Sequence, residues 1–198
     1  MLRRAMMAQP SGSAYALNPA DKSGSITLSN SNRTATKSSG GAGHCFVRAI
    51  SGKAAGKWYW EVQYVGGSPS ACFAGAIATS VPATNTQIGV TAGSGGYLNV
   101  NGRLYYNGTN AAYGATYTDG AIIGVALDMD TGKVWFAKNN TWQASGNPAA
   151  GTAPAISGLT GTWFPAIGIY DQGGSCIARF AAADQSFSPP SGFTAIGG

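Results

Sequence analysis

Lys57-Trp58-Tyr59-Trp60-Glu61-Val62-Gln63-Tyr64 is the stretch from which the fold is read. Successive side chains of an extended chain point to opposite faces. Trp58, Trp60, Val62 and Tyr64 therefore share one face, while Lys57, Glu61 and Gln63 share the other. A strand is predicted whose aromatic face packs into a core. Two later stretches repeat the alternation with a large/small layout. In Ile122–Leu127, Ile123, Val125 and Leu127 lie opposite Gly124 and Ala126, and small residues there imply that something bulky packs closely over that face. In Pro165–Ile169, Ile167 and Ile169 lie opposite Ala166 and Gly168. The expected core is Trp60, Val62, Ile123, Val125, Leu127, Ile167 and Ile169, with Trp135 or Phe136.

Working outward, helical periodicity is nearly absent. Short β-branched and aromatic runs alternate with Gly, Asn, Ser and Pro, the pattern of a sandwich or barrel. Strands are predicted at Ser25–Ser29, Thr34–Lys37, His44–Ile50, Lys57–Tyr64, Cys72–Ala78 and Gln87–Val90. Further ones follow at Gly96–Asn99, Arg103–Tyr106, Ala121–Asp128, Lys133–Lys138, Phe164–Tyr170 and Ser175–Phe180. Asn101-Gly102 reads as a type I′ hairpin turn, which needs positive φ at both central residues. Asp130-Thr131-Gly132 should join two strands, with Gly132 left-handed. The chain is read as an N-terminal arm, residues 1–20, followed by one all-β domain, residues 21–198. That domain is expected to be a two-sheet antiparallel β-sandwich.

Composition narrows the function. The 198 residues include 30 Gly, and only 10% are charged. The net charge of +5 does not mark a nucleic-acid surface. Eight basic residues against one acid fall in the first 57 positions, and four against six in the rest. They stand singly among strands and turns, without the basic cluster and interleaved aromatics of such a footprint. No nucleic-acid partner is therefore expected. No apolar run approaches the roughly 20 residues of a membrane helix, so membrane insertion is not expected either. Met1–Met7 has a basic start but no apolar core of a signal peptide. Cys45, Cys72 and Cys176 are widely spaced and form no C-x-x-C pair, so neither zinc nor a disulfide framework is indicated. Cys45 and Cys176 read as small core residues, consistent with assembly in a reducing cytoplasm.

No catalytic residue is nominated. His44 is the one histidine, and its neighbour Cys45 points to the opposite strand face. Asp128-Met129-Asp130-Thr131-Gly132 breaks the calcium-loop register, because glycine already stands at the fifth position; it reads as a hairpin turn capped by carboxylates. The seven acids give no pair across a cleft for glycoside hydrolysis. Gly93-Ser94-Gly95-Gly96 lacks the Lys-Ser/Thr and helix of a phosphate loop. No metal or cofactor is expected. Three glycosylation-like triplets, at Asn32, Asn107 and Asn139, read as chance in an Asn/Thr-rich chain.

The order of the segments resembles the SPRY domain, the core of B30.2 modules. The matching stretches are Gly56–Val62, Ile88-Gly89-Val90, Ile122–Asp128, Gly132–Asn139 and Phe164–Gly168. The resemblance implies two face-to-face antiparallel sheets of concanavalin-like jelly-roll architecture and binding borne on loops. Asn18–Lys22, Ile26–Ser29, Tyr113–Tyr117 and Pro189–Phe193 further resemble SPRY proteins of tailed bacteriophages and prophages. No zinc-ligand pattern or heptad run accompanies the match, which counts against a ubiquitin-ligase adaptor. The implied function is a non-catalytic virion component, in a head, tail or fibre. It would contact other virion proteins, copies of itself or a host-surface protein, after assembly in the host cytoplasm. The alternative is a carbohydrate-binding module for glycans.

Two sites are nominated. Tyrosines punctuate residues 97–117 and supply large contact area with a polar tip. Asn107, Asn110, Tyr113 and Tyr117, in the 107–120 loop, form the candidate ligand or partner site. Other long turn-rich stretches are Val65–Ala71, Thr79–Thr86 and Gln143–Thr162. Arg3, Arg4, Met6 and Met7 are the candidate contacts of an attachment arm.

Overall fold

The computed structural model describes residues 15–66 and 70–198. In chain order its strands begin with β1 (Leu17–Lys22), β2 (Ile26–Ser29), β3 (Thr34–Lys37), β4 (Cys45–Ala49) and β5 (Lys57–Tyr64). There follow β6 (Cys72–Ala78), β7 (Ser94–Leu98), β8 (Arg103–Tyr106), β9 (Thr109–Ala112) and β10 (Ile122–Asp128). The last six are β11 (Lys133–Lys138), β12 (Thr141–Trp142), β13 (Ile156–Ser157), β14 (Trp163–Ile169), β15 (Ser175–Arg179) and β16 (Thr194–Ala195). Two 3-10 turns are the helical content of the described residues.

One sheet has the order β1-β4-β14-β6-β7-β8-β9. The other runs β12-β11-β10-β5-β15-β3-β2, with β13 on β11 and β16 on β5. Pairing is antiparallel throughout except for β16 against β5. Trp60, Val62, Ile123, Val125, Leu127 and Phe136 of the second sheet meet Val47, Ala74, Ile167 and Ile169 of the first in one buried interior. The expected sandwich and its core are therefore present. Phe136 is the member of its pair that turns inward; Trp135 turns to the outer face.

Both outer faces are covered in part. Over the second sheet, Tyr59, Ala126, Trp135 and Phe193 form a separate buried cluster. A β-carbon on Gly124 would lie 2.6 Å from the Tyr59 hydroxyl, which identifies the bulky neighbour that the small residues of β10 implied. Over the first sheet, Ile88 packs with Phe46, Phe73, Ile77 and Val81. Its side chain lies over Gly75, Gly96 and Gly168, where added β-carbons would fall 3.0, 2.9 and 3.1 Å from it. Covering both faces of a sheet doubles the apolar area that each strand removes from water.

Four expectations are corrected. Gln87–Val90 is not a strand: residues 88–90 form a turn, Gly89 has φ +89°, and its N–H donates to Ser94 Oγ at 2.9 Å. Asn101-Gly102 is not a type I′ turn, because of the two only Gly102 (φ +65°) is left-handed and β7 already ends at Leu98. The two-residue loops with both φ positive are Asn107-Gly108, between β8 and β9, and Asn139-Asn140, between β11 and β12. With Asn32 (φ +60°) in the turn between β2 and β3, all three glycosylation-like triplets begin at turn asparagines, which tolerate this conformation better than most residues.

The domain does not begin at residue 21. β1 pairs with β4, Leu17 is fully buried and donates its N–H to Asn32 O at 2.9 Å, and Tyr15 packs edge-on against Phe180. Residues 15–20, assigned to the arm, belong to the sandwich. Arg3, Arg4, Met6 and Met7 lie outside the described residues. Last, Cys72 and Cys176 meet across the core, a contact that their spacing did not indicate. Their Cα atoms are 7.7 Å apart, beyond the usual disulfide span, so we read them as apposed thiols. Gly132 (φ +64°) stands as expected in the turn after β10. There Asp128 accepts from the amides of Asp130 and Thr131 at 3.0 and 3.1 Å.

Candidate recognition site

The nominated tyrosines are consumed by the core. Tyr117 is 3% exposed, and its hydroxyl donates to Tyr97 O at 2.8 Å. Tyr113 packs edge-on against Tyr97 and Phe136, and its hydroxyl accepts the Phe136 N–H at 3.2 Å. Burial raises the pKa of both phenols and pushes that of Tyr97 up to about 12. Asn107 and Asn110 are exposed, but each is occupied locally. Asn107 Oδ1 accepts from Gly93 N at 2.8 Å, and Asn110 Oδ1 accepts from Arg103 Nε at 2.5 Å. The four residues do not converge on one surface. The expected loop is half hairpin and half core lid.

A different surface collects half-buried rings. Ile169 of β14 pairs with Cys45 of β4. One step beyond, Tyr170 and His44 fall opposite each other on the outer face of the first sheet, with ring centroids 4.6 Å apart. Phe73 pairs with Gly168 and lies next in the row, its ring 6.1 Å from His44. Tyr105 of β8 follows, 5.5 Å from Phe73 and near perpendicular to it. Four rings thus cross this end of the sheet, with Phe73 buried beneath the Ile88 loop and Tyr170, His44 and Tyr105 half-buried beside it.

Around them is a cavity of about 330 Å³, closed by Ala71, Gln87, Leu98, Val100 and Asn101. Val100 is 50% exposed, one of the few large hydrophobic side chains at the surface among the described residues. None of the lining residues carries a fixed charge. Asn101 Nδ2 donates to the Tyr105 hydroxyl at 3.4 Å, leaving the rest of both polar groups to face outward. The pKa of His44 is lowered, chiefly by burial and further by the Lys37 charge, with Asp171 opposing. At neutral pH the groove therefore presents a neutral imidazole, the two phenol rings of Tyr105 and Tyr170, an aliphatic tip and amide groups. Such a set suits contact by ring packing and hydrogen bonds.

Sequence reading missed this groove for a definite reason. His44 and Tyr170 are each one residue outside a strand, 126 positions apart, and only the β4–β14 register brings them together. The available signal was Val100, an aliphatic residue beside the Asn101-Gly102 turn. Cys45 faces the interior, so no His44–Cys45 pair forms. Among the described residues, no group of three or more His, Cys, Asp or Glu is placed to hold a metal ion. None of their helices is long and apolar enough to cross a membrane.

Comparison with known proteins agrees with this architecture. The family model described as "SPRY domain" matches residues 57–182. The SPRY domain of human HERC1 superposes with a TM-score of 0.67 at 20% identity, covering 83% of this chain and 97% of that one. A second human SPRY domain gives 0.62 at 18% identity, covering 78% and 94%. No curated protein matches the sequence.

Proposed function

We propose, from the premise that this chain belongs to the SPRY domain family, that it is a non-catalytic module binding another protein through the groove at His44, Tyr105 and Val100. SPRY domains are generally protein–protein interaction modules. The observation that carries the reading is the set of half-buried rings Tyr170, His44 and Tyr105, seated on the buried Phe73, beside a half-exposed Val100. Aromatic anchors in an uncharged depression are where truncation usually costs a complex most.

The setting we propose is a virion, assembled in the host cytoplasm, with another virion protein or a host-surface protein as partner. Support for it is the resemblance of Asn18–Lys22, Ile26–Ser29, Tyr113–Tyr117 and Pro189–Phe193 to phage SPRY proteins. Glycan binding is the second reading. It is favoured by Tyr105 beside Asn101 and Gln87, a ring with flanking amides of the kind that sugars stack and hydrogen-bond upon.

Peptides selected from a random display library against the folded protein test the groove. They should compete with one another and weaken about tenfold or more with Val100→Asp and Tyr105→Ala. Selected peptides blind to both substitutions overturn the assignment. Retention on glycan surfaces that both substitutions abolish, with no peptide selected, transfers the groove to the glycan reading. Absence of the chain from purified particles, by mass spectrometry, overturns the virion setting alone.

A further inference from the structure

Next to the groove, and sharing His44 with it, lies a second cavity of about 250 Å³. Lys37 of β3 lines it. This lysine is 2% exposed, unusual for a residue type that is seldom fully buried unless paired. Its ammonium donates to Tyr170 O at 2.7 Å and to Gly43 O. A β-carbon on Gly43 would lie 3.7 Å from Nζ, which sets the charge beside the cavity wall. An ammonium has three N–H donors, and two are used. Lys37 makes no ion pair among the described residues. The undescribed residues, 1–14 and 67–69, contain no Asp or Glu. Nothing in this chain therefore neutralises Lys37 at contact distance.

Two carbonyl dipoles compensate a buried cation less well than a counter-ion does. We infer that this cavity receives the carboxylate of an acidic side chain from the partner, docked against Lys37. The inference rests on the groove reading, and it adds that the partner places an Asp or Glu beside the segment lying over Tyr105 and Val100. Charge selects a carboxylate over a phosphate. Ser25, Gly40, Ala42, Gly43, His44 and Asn85 complete the lining, so there is no arginine fork and no second lysine for a dianion. Ser25 and Asn85 supply neutral polar groups for the second carboxylate oxygen.

The test uses the protein alone, with N-acetylglutamate α-amide as probe and N-acetylglutamine α-amide as its uncharged counterpart, followed by amide NMR. Saturable shifts at Ser25, Gly40, Gly43 and His44 are expected with the acid and not with the neutral compound. Lys37→Met should weaken them about ten- to a hundredfold. Because Lys37→Met removes a buried group and can unfold the protein, Ser25→Asp provides the second arm. It places a carboxylate in the cavity from within the chain and should abolish probe binding in a folded protein. No saturable shift, equal shifts with both compounds, or undiminished binding in Ser25→Asp overturns the inference. Failure here leaves the groove standing, since that is tested at Val100 and Tyr105.

Discussion

Glu61 Oε2 accepts the amide hydrogen of Ser186 at 2.8 Å, joining β5 to a segment 125 positions along the chain. Its other oxygen accepts from Phe187 N at 2.9 Å and from the Tyr59 hydroxyl at 3.1 Å. The carboxylate is fully buried although it stands on the outer face of its sheet. It ties down the C-terminal stretch that brings Phe193 over Tyr59 and Trp135.

Glu61→Ala removes the acceptor of two amides and a phenol. We expect about 1–3 kcal/mol of destabilisation, with faster hydrogen exchange concentrated at residues 182–196. Chemical denaturation and exchange measured together check this. An exchange increase spread evenly over both sheets would contradict a local tether.

Ile88 and Gly168 should be energetically coupled. Ile88→Ala empties the space over three glycines and should cost about 2–5 kcal/mol. Gly168→Ala forces a β-carbon to 3.1 Å from Ile88 Cδ1. Truncating Ile88 removes the two nearest contacts of the added methyl and leaves Phe73 Cβ at 3.3 Å, so the double variant should be more stable than the sum of the single losses predicts. A coupling of about 0.5–3 kcal/mol is expected. Simple additivity would show that Gly168 is required for some reason other than Ile88.

Trp60 tests the interior. It is fully buried, and its Nε1 has no hydrogen-bond partner among the described residues. Trp60→Ala should cost about 3–5 kcal/mol. Trp60→Phe should cost distinctly less, because it keeps a ring and deletes an unpaired polar group. Equal losses for the two variants would mean that the indole N–H is satisfied after all.

His44 should make stability depend on pH. Its folded pKa lies below the ordinary 6.5, so the unfolded chain takes up the proton first. Stability is complete above 6.5 and falls as the pH drops through 6.5 toward the folded value. Denaturation midpoints between pH 7.5 and 5 should decline in the wild type and decline less in His44→Gln. Identical slopes in that window would remove His44 as the cause.

How far the fold was legible follows from the range of the forces involved. Short β-branched and aromatic runs between turn residues are a local property of the chain, and with the alternation in Lys57–Tyr64 they placed β3, β5, β6, β8 and β11 at their observed bounds. Alternation also assigned Trp60, Val62, Ile123, Val125 and Leu127 to the interior, because the inner face of a strand is set by its own pattern. The same pattern marks Glu61 and Tyr59 as outward and cannot say whether outward means water. That depended on residues 185–196 returning over β5, and in the other sheet on Ile88 descending onto three glycines.

Turn chemistry was legible in kind but not in place. Asn101-Gly102 and Asn107-Gly108 carry the same dipeptide, and only the pairing of β8 with β9 decides which one becomes the type I′ turn. The tyrosines at 113 and 117 looked available because aromatic composition alone does not reveal the cavity beside Tyr97 and Phe136 that takes them in. The groove lay beyond sequence reading altogether. Its rings come from β8 and from the residues flanking β4 and β14, resting on Phe73 of β6, segments whose adjacency is a property of sheet order. By itself the sequence determined the long central strands and their inward faces, through contacts between near neighbours in an extended chain, but not β1, β9, β12, β13 and β16. The tertiary structure decided what covers the outward faces, and so which few side chains remain to meet a partner, because that outcome depends on how whole strands and loops, some more than a hundred residues apart, are brought together.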